Sequence, residues 1–418
     1  MFGDKDIITA VEIGTSKICV LIGKADNDER ISVLGFGEIP SASSVVKGEI
    51  TSIANVSDKV RDAISAAEDM ADTPIDPASI FIGITGSHIQ GTIGSGKVII
   101  ASEDRKITKE HISEVARNAS QIAIPYDCVS LNSIHGDFLV DGTRRTANPE
   151  GQTADKLEVS SFTIYGRRNC VENFRTPLRE YGYNDPYPVF SVLAAAHGAL
   201  SDDEMKHGVL FIDMGAGTTE FILFRESCAC SCGIIPVGCD HIANDLFIGL
   251  DLNIQSCRKI IEEQSYSTNK KQGIQHISIE GALETRKIPI NSIEKIIDLR
   301  LNETFRLIQK QLKQEGQLMH INKGIVIAGG ASLIVETINA AHSVFDCPVR
   351  IGSPPDIYGP IMRLNSPRYT MLTGLLSLGK KIIETKDKKN TSFILSLDRA
   401  FRTSGKKILK SLKESFNF

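Results

Sequence analysis

Two stretches of this 418-residue chain carry the residue types that hold a phosphorylated ligand. One is Glu12-Ile13-Gly14-Thr15-Ser16-Lys17. The other is Asp213-Met214-Gly215-Ala216-Gly217-Thr218-Thr219. A phosphate needs several backbone N–H donors aimed at it, and glycine allows an approach that a Cβ would block. The hydroxyls of Thr15, Ser16, Thr218 and Thr219 add donors without charge, and Lys17 adds a point charge. A carboxylate at a strand end cannot touch phosphate, but it can hold Mg2+ through water. That role falls to Glu12 and Asp213. A third turn, Gly329-Gly330, opens what reads as a helix and suits backbone packing on adenosine.

The elements that must position these turns repeat. Strands are expected over 7–12, 18–23 and 31–39, then a helix over 53–70 with Val56, Val60, Ala63, Ile64 and Ala67 on one face. The same order returns with strands over 209–213, 220–224 and 228–236 and a helix from about Asp240. Each copy places an acid, an apolar residue and a glycine at its first turn. A single glycine-rich turn is weak evidence, since an ordinary hairpin explains it. Duplication implies two similar lobes whose turns face one cleft. The segment 83–166 between the copies has its own composition, with a polar stretch over 141–155, and reads as an insertion. A helix is expected over 292–316, a strand over 324–328, a helix from Ser332, and a charged linker over 386–392.

Composition bounds the function. The chain is 41% hydrophobic and 23% charged, so it can bury a large core without disulfides. A net charge of −4 gives no basic field for nucleic acid, and the absence of Trp argues against base stacking. The acidic start lacks a signal-peptide pattern, and no stretch approaches the roughly 20 apolar residues of a membrane span, so a cytoplasmic body is expected. Nine cysteines at irregular spacing fit reduced thiols. Gly91 to Val98 resembles a P-loop but has Val98 where the metal-binding hydroxyl belongs. Cys228, Cys230 and Cys232 are too closely spaced for an ordinary zinc site.

The end of the chain is different. Arg399, Arg402, Lys406, Lys407, Lys410 and Lys413 are opposed within 399–418 by one acid, Glu414. Phe401, Ile408, Leu409, Leu412 and Phe416 fall on one helical stripe among those lysines. A basic amphipathic helix behind a charged linker is what an interfacial membrane anchor requires.

The motifs resemble the superfamily of actin, Hsp70 and sugar kinases, and within it the FtsA family of bacterial cell division. Glu12 to Lys17 matches the first phosphate motif, with Glu12 where the family has Asp. Phe211 to Thr219 matches the second. Lys47-Gly48-Glu49-Ile50 matches "KGxI"; Gly83 to Ile89 matches the start of the inserted subdomain called 1C; and Asn148-Pro149-Glu150-Gly151 resembles its "NPxG" turn. Ile327-Ala328-Gly329-Gly330 and Leu372-Thr373-Gly374-Leu375 match the last motifs. In the family's ribose-contacting "AExxK" segment, Lys259 carries over, while Ser256 stands where the family has Glu.

The resemblance implies an α/β, two-lobed actin-like ATPase fold with a duplicated core. Subdomain 1A would span 1–83 and 167–206, 1C 84–166, 2A 207–256 and 322–383, 2B 257–321, a linker 384–398 and the amphipathic helix 399–418. It implies ATP and Mg2+ as ligands, turnover weak or absent, and nucleotide as a conformational ligand. Implied partners are the C-terminal tail of FtsZ on 2B near Lys295, Arg300 and Glu303, further copies of the chain in a filament, division proteins at 1C, and anionic lipid on the cytoplasmic face of the cell membrane at the division site. A soluble catalytic ATPase or kinase of the same superfamily, or a pilus-assembly adaptor of related fold, are the alternatives.

Overall fold

The computed structural model describes residues 7–25, 31–263, 275–280, 285–354, 357–359 and 361–387. The apolar run 7–13 forms the strand Ile7–Ile13, buried along nearly its whole length because helices cover both faces of its sheet. That sheet runs Tyr187–Phe190, Ile80–Ile84, Ile7–Ile13, Lys17–Ala25, Ile31–Pro40 and Ile357–Tyr358. The second lobe repeats it with Val349–Ile351, Ile325–Ala328, Val209–Met214, Thr219–Arg225 and Cys228–Ile235. In both, the first strand lies between an antiparallel neighbour that follows it directly and a parallel neighbour from much later in the chain.

Helix packing fixes each lobe. The helix Ile53–Ala71 starts at a Ser52 cap and buries Val56, Val60, Ala63, Ile64 and Ala67, the face expected from their spacing. It sits so close to the Ile31–Pro40 strand that a Cβ on Gly37 would fall 1.9 Å from the Ala63 carbonyl oxygen. On the opposite side of the sheet, the helix Thr370–Asp387 packs on Ser191–His197 through Gly374. In the second lobe, Ile290–Gln314 buries Ile293, Ile297, Leu301, Phe305, Ile308 and Leu312 along one stripe.

The insertion is an antiparallel sheet of Gln90–Ile99, Cys128–His135, Phe138–Val140, Arg144–Thr146 and Lys156–Arg167. The helix Lys109–Ser120 lies across it with a core of its own. Gly94 and Gly96, in the stretch set aside as a phosphate loop because of Val98, lie on the strand Gln90–Ile99. They admit this helix: a Cβ on either would meet the carbonyls of Ala119 or Val115. The insertion also touches the second lobe, through Arg145–Glu226 at 2.7 Å and the Cys228 thiol donating to the Ile134 carbonyl at 3.3 Å.

One expectation fails. The helix expected from Ser332 is a single tight turn, Gly330–Leu333, and the true helix is Thr337–Phe345. Ser332 donates back to the Gly329 carbonyl at 2.7 Å, which closes that turn and reorients the chain before the helix begins. The stripe from Phe401 to Phe416, with Lys406, Lys407, Lys410 and Lys413, lies outside the described residues. Among the described residues, no helix is long and apolar enough to cross a membrane.

Gly374→Ala would force a Cβ to within 1.8 Å of the Ala194 carbonyl oxygen. The expected loss is about 1–3 kcal/mol, read from chemical denaturation. Gly330→Ala, whose Cβ would meet nothing within 4 Å, is expected to unfold with the parent.

Candidate functional site

The two glycine turns have one geometry. Gly14 N–H donates to the Lys17 carbonyl at 2.9 Å, and Gly215 N–H donates to the Thr218 carbonyl at 2.9 Å. They face each other across a cleft of about 1170 Å³ between the lobes, with Gly329 and Gly330 on its wall. Gly217 brings the second turn against the first lobe, where a Cβ would lie 2.5 Å from Thr15 Oγ1 and 3.0 Å from Lys47 Cα. Gly48 N–H donates to Thr15 Oγ1 at 3.2 Å. Gly48 itself, at φ +74°, leaves room for the Thr218 methyl group.

Of the expected phosphate and metal residues, Glu12, Gly14, Thr15, Ser16, Lys17, Asp213, Gly215, Ala216, Gly217 and Thr218 all line this cleft. Thr219 does not. It is fully buried, and its hydroxyl donates to the Val237 carbonyl at 2.7 Å, fastening the next strand end. Lys17 is the cation of the first turn but not a free one. Its Nζ lies 3.5 Å from Glu38 and 3.5 Å from the centroid of the Tyr369 ring. Burial alone would raise Glu38, but a hydrogen bond from Tyr369 (2.8 Å) and the charges of Lys17 and Arg363 bring it below the ordinary carboxylate range.

The residue that sequence reasoning missed is Glu220. Strand pairing sets it directly opposite Asp213, just as Glu12 stands opposite Cys19 in the first lobe. It is 6% exposed and lines the cleft. Thr85, from the other lobe, donates to its Oε1. Its Oε2 and the Oε2 of Glu12 are buried with no hydrogen-bond partner among the described residues. Burial, and then the Asp213 charge, push Glu220 up to about 8. Burial and the Glu12 charge push Asp213 up to about 7. Facing like charges cost stability unless a cation or protons sit between them.

Orphaned carboxylate oxygens beside two amide-lined glycine turns fit a phosphate ligand carrying Mg2+. Among the described residues, no group of three or more His, Cys, Asp or Glu is placed to ligate a metal directly. The same statement covers Cys228, Cys230 and Cys232, all of them free thiols.

Comparison with known proteins decides the family. Residues 210–374 match the model described as cell division protein FtsA, and residues 86–165 match the SHS2 domain inserted in FtsA. A cell division protein FtsA of Borreliella burgdorferi is 30% identical over 384 residues, covering 89% of this chain and 90% of that protein. The chain belongs to the FtsA family. The Pseudomonas aeruginosa relative is 29% identical over 376 residues, covering 89% of each chain. Among solved structures, the PilM–PilN type IV pilus biogenesis complex aligns with a TM-score of 0.58 at 14% identity, covering 89% of this chain and 98% of the other. MreB5 of Spiroplasma citri bound to ADP aligns at 0.53 and 12%, covering 92% and 99%. These likenesses establish an actin-like fold, and the matched SHS2 domain is its insertion.

Within an FtsA frame, two expected residues stand elsewhere. Lys259 does not line the cleft; it pairs with Glu263 at 3.7 Å and its side chain is 71% exposed. Arg258, Ile261 and Glu262 of the same helix, Ile254–Glu263, line it instead. Arg300 is not a free cation for an acidic tail. It bonds both carboxylate oxygens of Asp245, at 2.5 and 2.9 Å, and Glu303 at 2.5 Å, clamping the Cys239–Leu250 helix to Ile290–Gln314. Lys295 is exposed on that helix.

A carboxyl whose folded pKa lies above its unfolded value destabilises the fold increasingly as pH climbs from the unfolded value to the folded one. Glu220→Gln keeps an acceptor for Thr85 and removes the titration. Its denaturation midpoint should therefore gain on the parent steadily between about pH 5 and about pH 9. A pH-independent difference would contradict a buried carboxyl raised to about 8.

Proposed function

We propose that this chain binds ATP with Mg2+ in the interlobe cleft, assembles into actin-like polymers, and tethers the FtsZ ring to the inner face of the cytoplasmic membrane through its C-terminal amphipathic helix. The observation carrying the nucleotide reading is the pair of matching glycine turns, closed on one another at Gly217 and Thr15 in an FtsA-family chain. Backbone amides of the turns that Gly14 and Gly215 close, at 15–17 and 216–218, would hold the β- and γ-phosphates, with Lys17 as their point charge. Glu12 and Asp213 would hold the waters of Mg2+, which neutralises phosphate charge when bound. Gly329 and Gly330 would face the adenosine. Glu220, held by Thr85, is placed to orient a water or keep a proton at Oε2. Nucleotide acts in this reading mainly as a conformational ligand that favours the closed lobes, with slow turnover.

The partners follow the same reading. The acidic FtsZ tail would dock on Ile290–Gln314 around Lys295, with Arg300 and Glu303 holding the helix that presents it. The insertion would receive other division proteins. The stripe Phe401, Ile408, Leu409, Leu412 and Phe416, ringed by Lys406, Lys407, Lys410 and Lys413, would lie in an anionic leaflet. A single such helix binds reversibly, whereas a polymer presenting many copies binds by avidity. That couples assembly to membrane residence.

Two experiments test this reading. Gly217→Ala pushes a methyl into Thr15 and should lower MgATP affinity at least about tenfold in calorimetry; unchanged affinity would refute the closed cradle. The full chain should sediment with anionic vesicles in a salt-sensitive manner, and a truncation after Lys389 should stay in solution. Equal sedimentation of both would refute the tether.

A further inference from the structure

The second lobe ends its sheet in the hairpin of Thr219–Arg225 and the edge strand Cys228–Ile235, and the insertion lies along that hairpin from end to end. At the cleft end, Thr85, at the root of the insertion, donates to Glu220. Midway, a Cβ on Gly91 would lie 3.0 Å from Cys232 Sγ. Further out, the Cys228 thiol donates to the Ile134 carbonyl at 3.3 Å, and at the hairpin tip Arg145 pairs with Glu226 at 2.7 Å. Phe224, Ala229 and Cys232 of the hairpin share one apolar cluster with Leu131, Phe162 and Ile164 of the insertion. The strand from Glu220 to Glu226 covers roughly 20 Å at about 3.3 Å per residue.

The root of the insertion is itself fastened. The chain enters past His88 and leaves through Gly166 and Arg167, and Arg167 N–H donates to His88 Nδ1 at 3.2 Å. The buried ring fills the space between the two crossings: a Cβ on Gly166 would lie 2.8 Å from His88 Nδ1, and one on Gly86 3.1 Å from His88 Cδ2. The first lobe and the insertion therefore grip the second lobe's hairpin at both of its ends. Rotating the lobes apart must carry Cys228 away from Ile134 and Glu226 away from Arg145, or bend the insertion off its root. Apolar burial opposes the separation. The exposed ion pair adds little energy and fixes the register.

We propose that the insertion is a splint across the two lobes: docked along the hairpin it holds the cleft closed, and lifted off the hairpin it lets the cleft open. Cleft state and insertion orientation then bias each other through one coupling free energy, so whatever seizes the insertion acts on the cleft. This coupling exists with or without a nucleotide.

Gly136→Cys in the full chain tests the splint. A Cβ at 136 would lie 3.1 Å from the Cys228 Cβ, so a small outward shift reaches the separation of about 3.5–4.5 Å that a disulfide spans. Mild oxidation should link the two sulfurs, as mapped by peptide mass. The linked, ligand-free protein should exchange its amides at 15–17 and 216–218 at least about tenfold more slowly than the same protein after reduction. Arg145→Glu, which sets two acids against each other at the tip, should speed exchange at the same turns, and combining it with Glu226→Lys should restore the parental rate. Arg145 is exposed and Glu226 half-buried, so a parental melting temperature in the charge variants separates an undocked insertion from an unfolded chain. A linked protein whose turns exchange as fast as the reduced one overturns the splint. So does failure of the sulfurs to link in a folded chain, because the docked contact then does not persist in solution.

Discussion

The two lobes can close only because no side chain stands between Gly217 and Thr15. A Cβ at 217 would lie inside van der Waals contact of both Thr15 and Lys47, so one missing atom sets the distance between the phosphate turns. Everything else at the site is arranged around that approach. The same amide-to-carbonyl bond closes both hairpins, Gly14 to Lys17 and Gly215 to Thr218, so two turns of one shape line one cleft. The sheets behind them share one topology, which keeps the turns at equivalent strand ends. Lobe packing then carries position from core to cleft, from Gly37 under its helix to the strand that leads to Pro40 on the cleft wall.

Closure also brings carboxyls together. Burial raises the pKa of Glu12, Asp213 and Glu220; the Glu12 charge adds to the rise at Asp213, and the charges of Asp213 and then Glu12 add to it at Glu220. A core would not tolerate this without return, because like charges held opposite each other on a hairpin oppose folding. The arrangement makes sense where a cation relieves it. A ligand that arrives with Mg2+ would then stabilise the closed lobes more than the open ones, which is the only way a ligand can shift such an equilibrium. The Thr85–Glu220 bond crosses from lobe to lobe, so a carboxyl that burial makes hard to ionise also latches the two halves.

Much of this was legible in the sequence because it is local. The acid–apolar–glycine spacing announced both turns and the duplicated strands, and apolar periodicity located the helices at 53–71 and 290–314. What escaped was what depends on tertiary register. Glu220 follows Thr219 and looks like an ordinary strand residue until pairing sets it against Asp213, although counting out from the turn would have exposed it. Lys259 and Arg300 were assigned by motif, but the rotation of a helix against its neighbours decides which face meets the cleft. That rotation chose Arg258 and Glu262, and bound Arg300 to Asp245. The stretch 91–98 was set aside as a phosphate loop because of Val98, but the purpose of Gly94 and Gly96, to make room for a helix, is visible only once the insertion is folded.

The central claim is that both turns grip one ligand. Amide hydrogen exchange on the full chain, with and without MgATP, tests it most directly. Protection should rise together at 14–17 and at 215–218, and at the same nucleotide concentration. Protection confined to one turn, or absent from both while nucleotide is bound, would mean that the lobes do not share a ligand and that the cleft closes for another reason.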